Sequence, residues 1–257
     1  MRAVVPPVVL AAVVLAGWTI ASDHLLRPSK RFLLPSPVQV ARVGLVDHAN
    51  RVEILHGLWS TSRVAIVGLL IAIVAGVGLA VLMSQARWAE RAVYPYAVVL
   101  QTIPILAIVP LIGYWLGFNF RSRVLVCVVI SIFPIITNTL FGLKSVDPGL
   151  HDLFTLHKVN RLTRLRKLQA PAALPAMFEG FRISAGLGVI GAIVADFFFR
   201  QGDPGIGRLI DVYRQRLATE QLMTAVLLSS FLGVVVFWVF GWLAARVTRS
   251  RRPSPFT

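Results

Sequence analysis

The sequence has few charged residues and only one cysteine. Of its 257 residues, 14% are charged and 56% are hydrophobic, whereas about a quarter of the residues in an ordinary soluble domain are charged. Cys127 lies inside an apolar block, so an internal disulfide and a metal site built on cysteines are both excluded. The apolar residues form blocks of about 17–25 residues, the length of a helix that spans a bilayer. We therefore predict an integral membrane protein.

Acidic residues are also scarce. The chain has 11 of them against 26 lysines and arginines, which gives a formal net charge of +15. A nucleic-acid-binding domain gathers its basic residues on one soluble face, but here the arginines lie between apolar blocks. This pattern is typical of basic residues that anchor the ends of spans and attract anionic headgroups. We expect membrane lipid as a partner and no nucleic acid.

Motifs of catalysis are missing as well. The sequence has no G-x-x-x-x-G-K-[ST] phosphate loop, and the glycine and lysine of residues 142–145 have the wrong spacing for one. Its five histidines show no metal-ligand spacing with a cysteine or carboxylate. We expect this chain not to be an enzyme, to hydrolyse no ATP itself, and to contain no catalytic residue, metal site or bound cofactor.

Six apolar segments predict an all-α fold with about six transmembrane helices. The first is interpreted as a retained span, because it is longer than a signal core and no A-x-A site follows it. The second is rich in small residues such as Gly68 and Gly76, which allow close helix packing in lipid. The predicted spans cover residues 4–21, 62–83, 94–116, 123–143, 177–199 and 222–245.

Prolines interrupt the third and fourth predicted spans and remove backbone hydrogen bonds there. The prolines fit two explanations equally well: the helices lie beside a pathway, or the prolines only kink them without a function. Because transporters hold substrates at broken helices, the polar residues beside the prolines are predicted to line a translocation pathway, with interhelical hydrogen bonding as the alternative. This group consists of Gln101, Thr102, Pro104, Thr137 and Asn138.

Ionisable groups inside spans indicate function. Asp196, near the end of the fifth predicted span, is predicted to belong to the pathway as part of an outer gate or as a helix cap. A carboxylate in interfacial water is an equally weighted alternative. Glu179 and Arg182 are three residues apart on one helix and are expected to form a structural pair.

Three segments outside the spans have recognisable patterns. Pro35-Ser36-Pro37 precedes a short amphipathic run that predicts an interfacial helix. The GDPGIG turn precedes a helix on which Leu209, Ile210, Tyr213 and Leu217 would share one face. The loop 144–176 is long and alternates leucines with basic residues. It predicts one or two amphipathic surface helices that end at Pro171 and Pro175, bound either to anionic lipid or to another protein.

Four ordered blocks of sequence resemble the permease subunits of bacterial binding-protein-dependent ABC importers. The blocks are FLLPSPVQV, LQTIPILAIVPLIGYWLG, FPIITNTLFGLKSVDPGL and PAALPAMFEGFRISAGLGVIGAIVADFF. They are similar to the branch for sulfonate, taurine, nitrate and pyrimidine-precursor uptake. The resemblance implies one permease domain over residues 1–257, with a core at about 56–245 and a cytoplasmic coupling loop at 144–176.

The family's loop signature is E-A-A, three residues, then G, with a proline end. Its Glu position falls on Asp152, its two alanines on Leu153 and Phe154, its glycine on Lys158, and its proline end on Pro171 and Pro175. The resemblance assigns these residues to ATPase coupling. Because lysine replaces the glycine that best tolerates a left-handed turn, we expect the helix–turn centre to be lost and the partner contact to differ in geometry.

The resemblance also implies a mechanism and partners. Two copies would enclose the pathway, a cytoplasmic ATPase subunit would bind ATP and magnesium, and an extracytoplasmic binding protein would deliver a small anion or a vitamin precursor. The chain would be a multi-pass protein of the bacterial plasma membrane with both termini cytoplasmic. An ATPase-independent channel and a membrane assembly factor are the alternatives.

Overall fold

The computed structural model describes residues 5–199 and 202–249, and within these ranges the regular elements are all helices. Five of the described helices are long and apolar enough to cross a membrane, and there are six if a bent helix pair counts as one span. The all-α membrane fold is therefore confirmed. Residue 4 at the start of the first predicted span, and both chain termini, which are expected to be cytoplasmic, lie outside the described residues.

The described helices include long membrane-spanning segments and short connecting ones. Helix α1 continues as a π-helical turn to Leu25, and α2 continues as another to Val46. The bounds are α1 Val5–Ile20, α2 Pro37–Ala41, α3 His48–Gln85, α4 Arg87–Thr102, α5 Ile105–Leu116, α6 Phe120–Lys144, α7 Pro148–Leu156, α8 Arg161–Arg164, α9 Ala170–Phe198, α10 Ile206–Gln215 and α11 Thr219–Arg249.

Helix α6 lies at the centre of the bundle, packed between α3 and α9, and α11 packs against α9. Every fourth residue of one α3 face is small and buried: Gly68, Ala72, Gly76 and Ala80. A Cβ on Gly76 would lie 2.7 Å from Cγ2 of Ile135, so α3 and α6 touch only because a side chain is absent there. This confirms the close packing expected of the second span.

The third predicted span is not one continuous helix. Helices α4 and α5 meet at 101°, and Ile103 and Pro104 at the break have extended backbone. Proline disfavours helical backbone in the residue before it, which accounts for the break at Ile103. In contrast, α6 continues as a helix through Pro134, so this proline removes one backbone hydrogen bond without ending the helix.

The prediction that Pro171 and Pro175 end the loop helix is also wrong. From Arg161 the chain runs as one 38-residue helix to Phe198, with a π turn at Leu165–Gln169. Pro171 follows this π turn and Pro175 lies inside α9, so both prolines remove a backbone donor without ending the helix. The fifth helix therefore begins well before the predicted residue 177.

The second helix also begins earlier than the predicted residue 62. Asp47 Oδ1 accepts a hydrogen bond of 3.0 Å from the Asn50 N–H and caps α3 at its start. The predicted interfacial helix is α2, which begins with a capping box between Ser36 and Gln39.

On α10, Leu209, Ile210 and Tyr213 are buried as expected. Leu217 is 66% exposed because it lies past the end of that helix, so its predicted place on the shared face is wrong.

Candidate functional site

The loop between α6 and α9 forms a helix, a turn and a second helix. Asp147 Oδ1 caps α7 by accepting a hydrogen bond of 2.7 Å from the Gly149 N–H. At the other end, the Val159 N–H donates to the Phe154 carbonyl (3.1 Å) and the Lys158 N–H donates to the Thr155 carbonyl (2.9 Å). These two bonds form a Schellman motif.

Lys158 is the left-handed residue of this motif, with φ of +51°. A non-glycine residue in this conformation costs roughly 1–2 kcal/mol. The structure thus retains a helix–turn centre at the glycine position of the signature, which corrects the expectation that the turn is lost. The two backbone bonds hold the lysine there, together with a cap on α8 in which the Thr163 N–H donates to Asn160 Oδ1 (2.7 Å).

The apolar face of α7 is turned away from the rest of the chain. None of the nine residues of α7 is buried. Leu153 is 46% exposed and Leu156 is 79% exposed, and Leu162 on the next helix is 63% exposed. Asp152 and Lys158 are exposed and Phe154 is half-buried. The six residues assigned to coupling therefore divide between α7, its turn and the start of α9.

The two ends of the loop are attached firmly to the bundle. Gly142 of α6 touches Ala173 of α9 so closely that a Cβ on the glycine would lie 2.9 Å from the alanine Cα. Lys144 Nζ lies 2.5 Å from Glu90 Oε2 of α4. The two ends of the loop therefore contact α4, α6 and α9.

The predicted pathway residues occupy two different environments. Gln101, Thr102 and Pro104 are exposed at the break between α4 and α5. Thr137 and Asn138 are half-buried on α6, where their side chains donate to carbonyls of their own helix; the Asn138 bond to the Pro134 carbonyl is 2.8 Å long. Asn138 also contacts α9 at Gly180.

Asp196 is buried in an ion pair and is not in interfacial water. It is 1% exposed, and its carboxylate pairs with the guanidinium of Arg123 on α6, which is 5% exposed. In the sequence, Arg123 is only the first residue of the predicted span 123–143. An arginine in the first turn of one span and a carboxylate near the end of another could have indicated the pair, since charges buried in spans are paired.

A threonine connects this ion pair to α3 and α10. Thr61 Oγ1 lies 2.5 Å from Asp196 Oδ2 as a donor and accepts a bond of 2.8 Å from the Ile206 N–H. The Gly207 N–H donates to the same carboxylate at 3.4 Å. The N-terminus of α10 is thereby held against three helices.

Helix α10 makes a second polar contact with α3. Tyr213 Oη donates a hydrogen bond of 2.7 Å to Glu53 Oε2. Burial of the phenol, and then the neighbouring Glu53 carboxylate, raise the pKa of Tyr213 above its usual range. The expected pair on α9 also forms: Arg182 Nη1 is 3.7 Å from Glu179 Oε2, and the Arg182 guanidinium lies 3.9 Å from the centre of the Phe237 ring.

Comparisons with known proteins agree with this architecture. Residues 68–249 match the family of the binding-protein-dependent transport system inner membrane component. The formylaminopyrimidine transport permease protein ThiX of Halalkalibacterium halodurans is 31% identical over 235 residues, covering 90% of each chain. The nitrate import permease protein NrtB of Synechocystis sp. is 30% identical over 245 residues, covering 90% of this chain and 84% of NrtB.

A solved structure shares the fold. A chain of the MetNI methionine ABC transporter in inward-facing conformations superposes with a TM-score of 0.68 at 16% identity, covering 78% of this chain and 99% of that one. The chain belongs to the family of binding-protein-dependent transport system inner membrane components. It is a multi-pass permease subunit of an ABC importer.

Proposed function

We propose that this chain forms half of a substrate pathway through the bacterial plasma membrane and couples it to a separate ATPase. The observation that carries the proposal is the exposed apolar face of α7. Leu153 and Leu156 belong to a well-capped helix with no buried residue of its own, and such a face indicates a protein partner.

The attachment of the loop supports a mechanical role. Gly142 against Ala173 and Lys144 against Glu90 join its ends to α6, α9 and α4. In the proposed cycle the ATPase subunits bind ATP and magnesium, close, and displace α7. The bundle then exchanges inward-open and outward-open states.

The remaining partners follow from the same proposal. Two copies of the chain enclose the pathway, and an external binding protein delivers the substrate. The loop 144–176 then lies in the cytoplasm together with both termini, and α10 lies at the outer end. Gln101, Thr102, Thr137 and Asn138 are the proposed polar lining.

The substrate proposed is a small anion, such as a sulfonate or nitrate, or a vitamin precursor. Relatives named for formylaminopyrimidine and nitrate support this range. We propose that the external binding protein largely determines the substrate specificity among these ligands.

The test is a tagged purification of the permease from native membranes. We expect a soluble subunit with a phosphate-binding loop to co-purify, and Leu153→Asp combined with Leu156→Asp to remove it. A matched control is Leu217→Asp, which places the same charge on a leucine that is 66% exposed near α10. The control should retain the ATPase.

A second experiment separates the permease from a channel. Charge reversal of Arg161, Arg164 and Arg166 should abolish transport in vesicles that contain ATP, because the loop no longer engages its partner. Transport that persists in this variant, or a native chain that purifies without any ATPase, would overturn the proposal.

A further inference from the structure

We propose that Asp196, Arg123 and Thr61 are positioning residues that fix α10 across the ends of α3, α6 and α9. The inference rests on the proposed function in one respect, namely that this end forms the outer mouth of the pathway. The residues and contacts that carry it belong to this chain alone.

The first step is the burial of the charges. Asp196 is 1% exposed and Arg123 is 5% exposed, so neither side chain can receive a substrate or contact a soluble partner in this conformation. A buried ion pair is a weak contributor to stability but becomes strongly unfavourable when one partner is lost. We therefore assign this ion pair a role in positioning the neighbouring helices and not in raising overall stability.

The second step is the convergence of elements on one carboxylate. Asp196 lies on α9, Arg123 on α6 and Thr61 on α3. Thr61 Oγ1 accepts a hydrogen bond from the first N–H group of α10 at 2.8 Å, and Asp196 Oδ2 accepts one from the second at 3.4 Å. The first N–H groups of a helix have no partner within the helix. These side chains thus supply bonds that α10 cannot make for itself.

The third step is the turn that leads into α10. Arg123 Nη1 donates to the Asp203 carbonyl at 3.3 Å and lies 3.4 Å from Ser60 Oγ. The guanidinium therefore holds the segment before α10 as well as the Asp196 carboxylate.

The fourth step is the close approach that the glycines permit. A Cβ on Gly205 would overlap the Asp196 carboxylate, and a Cβ on Gly57 would lie 2.6 Å from Leu209 Cδ1. Gly207 would likewise place a Cβ 2.8 Å from that of Asp196. The backbone at the start of α10 thus reaches Asp196 because Gly205 and Gly207 carry no side chain, and Gly57 leaves room for the side chain of Leu209.

Together these contacts fix which face of α10 packs on the bundle and which face is exposed. Leu209, Ile210 and Tyr213 face the bundle, whereas Arg214 and Arg216 are exposed. With its N-terminus fixed, α10 becomes a rigid part of the outer mouth with a basic surface.

The experiment is amide hydrogen exchange of the full chain in lipid nanodiscs, read by mass spectrometry over residues 206–215. We expect Asp196→Asn and Arg123→Gln each to speed exchange in α10 by about 100-fold or more. Thr61→Val, which removes no charge, should speed it by about tenfold, and Thr61→Ser should restore native exchange because it keeps the hydroxyl.

A matched control keeps the result specific. Thr139 on α6 is also fully buried, and its hydroxyl has no partner among the described atoms, so Thr139→Val should leave exchange in α10 unchanged. Exchange in the core of α6 and α9 should change little in the Thr61 variants.

Two results would overturn the proposal. One is native exchange in α10 of Thr61→Val; the other is exchange that rises equally in α10 and in the core of α6, since that is general destabilisation. If the single charge variants fail to fold, Arg123→Gln combined with Asp196→Asn leaves no unpaired charge and should fold with α10 loosened. Because the measurement needs neither ATPase nor substrate, it can fail while the transport function stands.

Discussion

Two short helices outside the spans, α7 and α10, have similar lengths and the same ending but opposite surroundings. They have 9 and 10 residues, and each ends at a non-glycine residue with positive φ, Lys158 at +51° and Leu217 at +55°. Helix α10 buries five residues against the bundle, whereas none of the residues of α7 is buried. Helix α10 thus packs against its own chain, whereas the apolar face of α7 is left uncovered by it.

The largest expected effect comes from truncating one apolar residue on each helix. Ile206 is fully buried, so Ile206→Ala should lower the free energy of unfolding by about 2–5 kcal/mol. Leu153→Ala on α7 should change it by less than about 0.5 kcal/mol. Denaturation of both purified variants in detergent measures this. A large loss for Leu153→Ala would mean that α7 packs inside the chain.

A polar contact gives the next effect. Tyr213→Phe removes the 2.7 Å hydrogen bond to Glu53 and should cost about 1.5 kcal/mol, the lower limit for a bond to a charged group, because Glu53 can reach water. The same denaturation experiment measures this loss in the free energy of unfolding. Tyr96→Phe is the control, since Tyr96 is 73% exposed. An equal loss in the two variants would contradict the role of the α10–α3 contact.

Alkaline pH should also reduce the stability that comes from the Tyr213–Glu53 contact. The folded chain raises the pKa of Tyr213, so the folded state holds its proton more tightly than the unfolded state, whose tyrosine titrates near pH 10. Stability from this group is complete below about pH 10 and falls as pH rises further. Thermal unfolding from pH 8 to 11 should show this decline in the native chain and less of it in Tyr213→Phe. An identical decline in both would refute the assignment.

The smallest effect concerns the left-handed residues that follow α7 and α10, Lys158 and Leu217. Lys158→Gly and Leu217→Gly each remove the strain of a left-handed non-glycine residue and should raise stability by up to about 1 kcal/mol. Lys158→Ala keeps the strain and serves as the control. If Lys158→Gly stabilises but Leu217→Gly does not, the two turns are less alike than their hydrogen bonds indicate. Melting temperatures of the four proteins, native included, decide between these results.

Much of the fold was predictable because apolar length and small-residue spacing act locally. The spacing of Gly68, Ala72, Gly76 and Ala80 gave the α3 face that packs on α6, and the leucines of α7 gave an amphipathic surface helix. The paths through prolines were not predictable in this way. Pro104 lies at a break in its span, whereas helices continue through Pro95, Pro110 and Pro134, so a proline in an apolar run does not by itself predict where a helix ends.

The coupling loop and the ion pair show the same limit. Residues assigned by resemblance to the loop fall in one helix–turn–helix, but the sequence did not show that a lysine would keep the turn, because the backbone bonds that hold it do not depend on side chains. The contact of Asp196 with Arg123 joins residues 73 positions apart, so no local pattern reports it. Whether Gln101, Thr102, Thr137 and Asn138 line a pathway stays a prediction.

The length of α3 has a mechanical consequence. Its 38 residues contain no proline, and at 1.5 Å per residue they form a rod about 57 Å long, whereas the hydrocarbon core is about 30 Å thick. A tilt of about 10° around one end of such a rod displaces the other end by about 10 Å. Small angular changes in the membrane are thus amplified into large displacements in water, at the end where α3 carries Glu53 and Gly57.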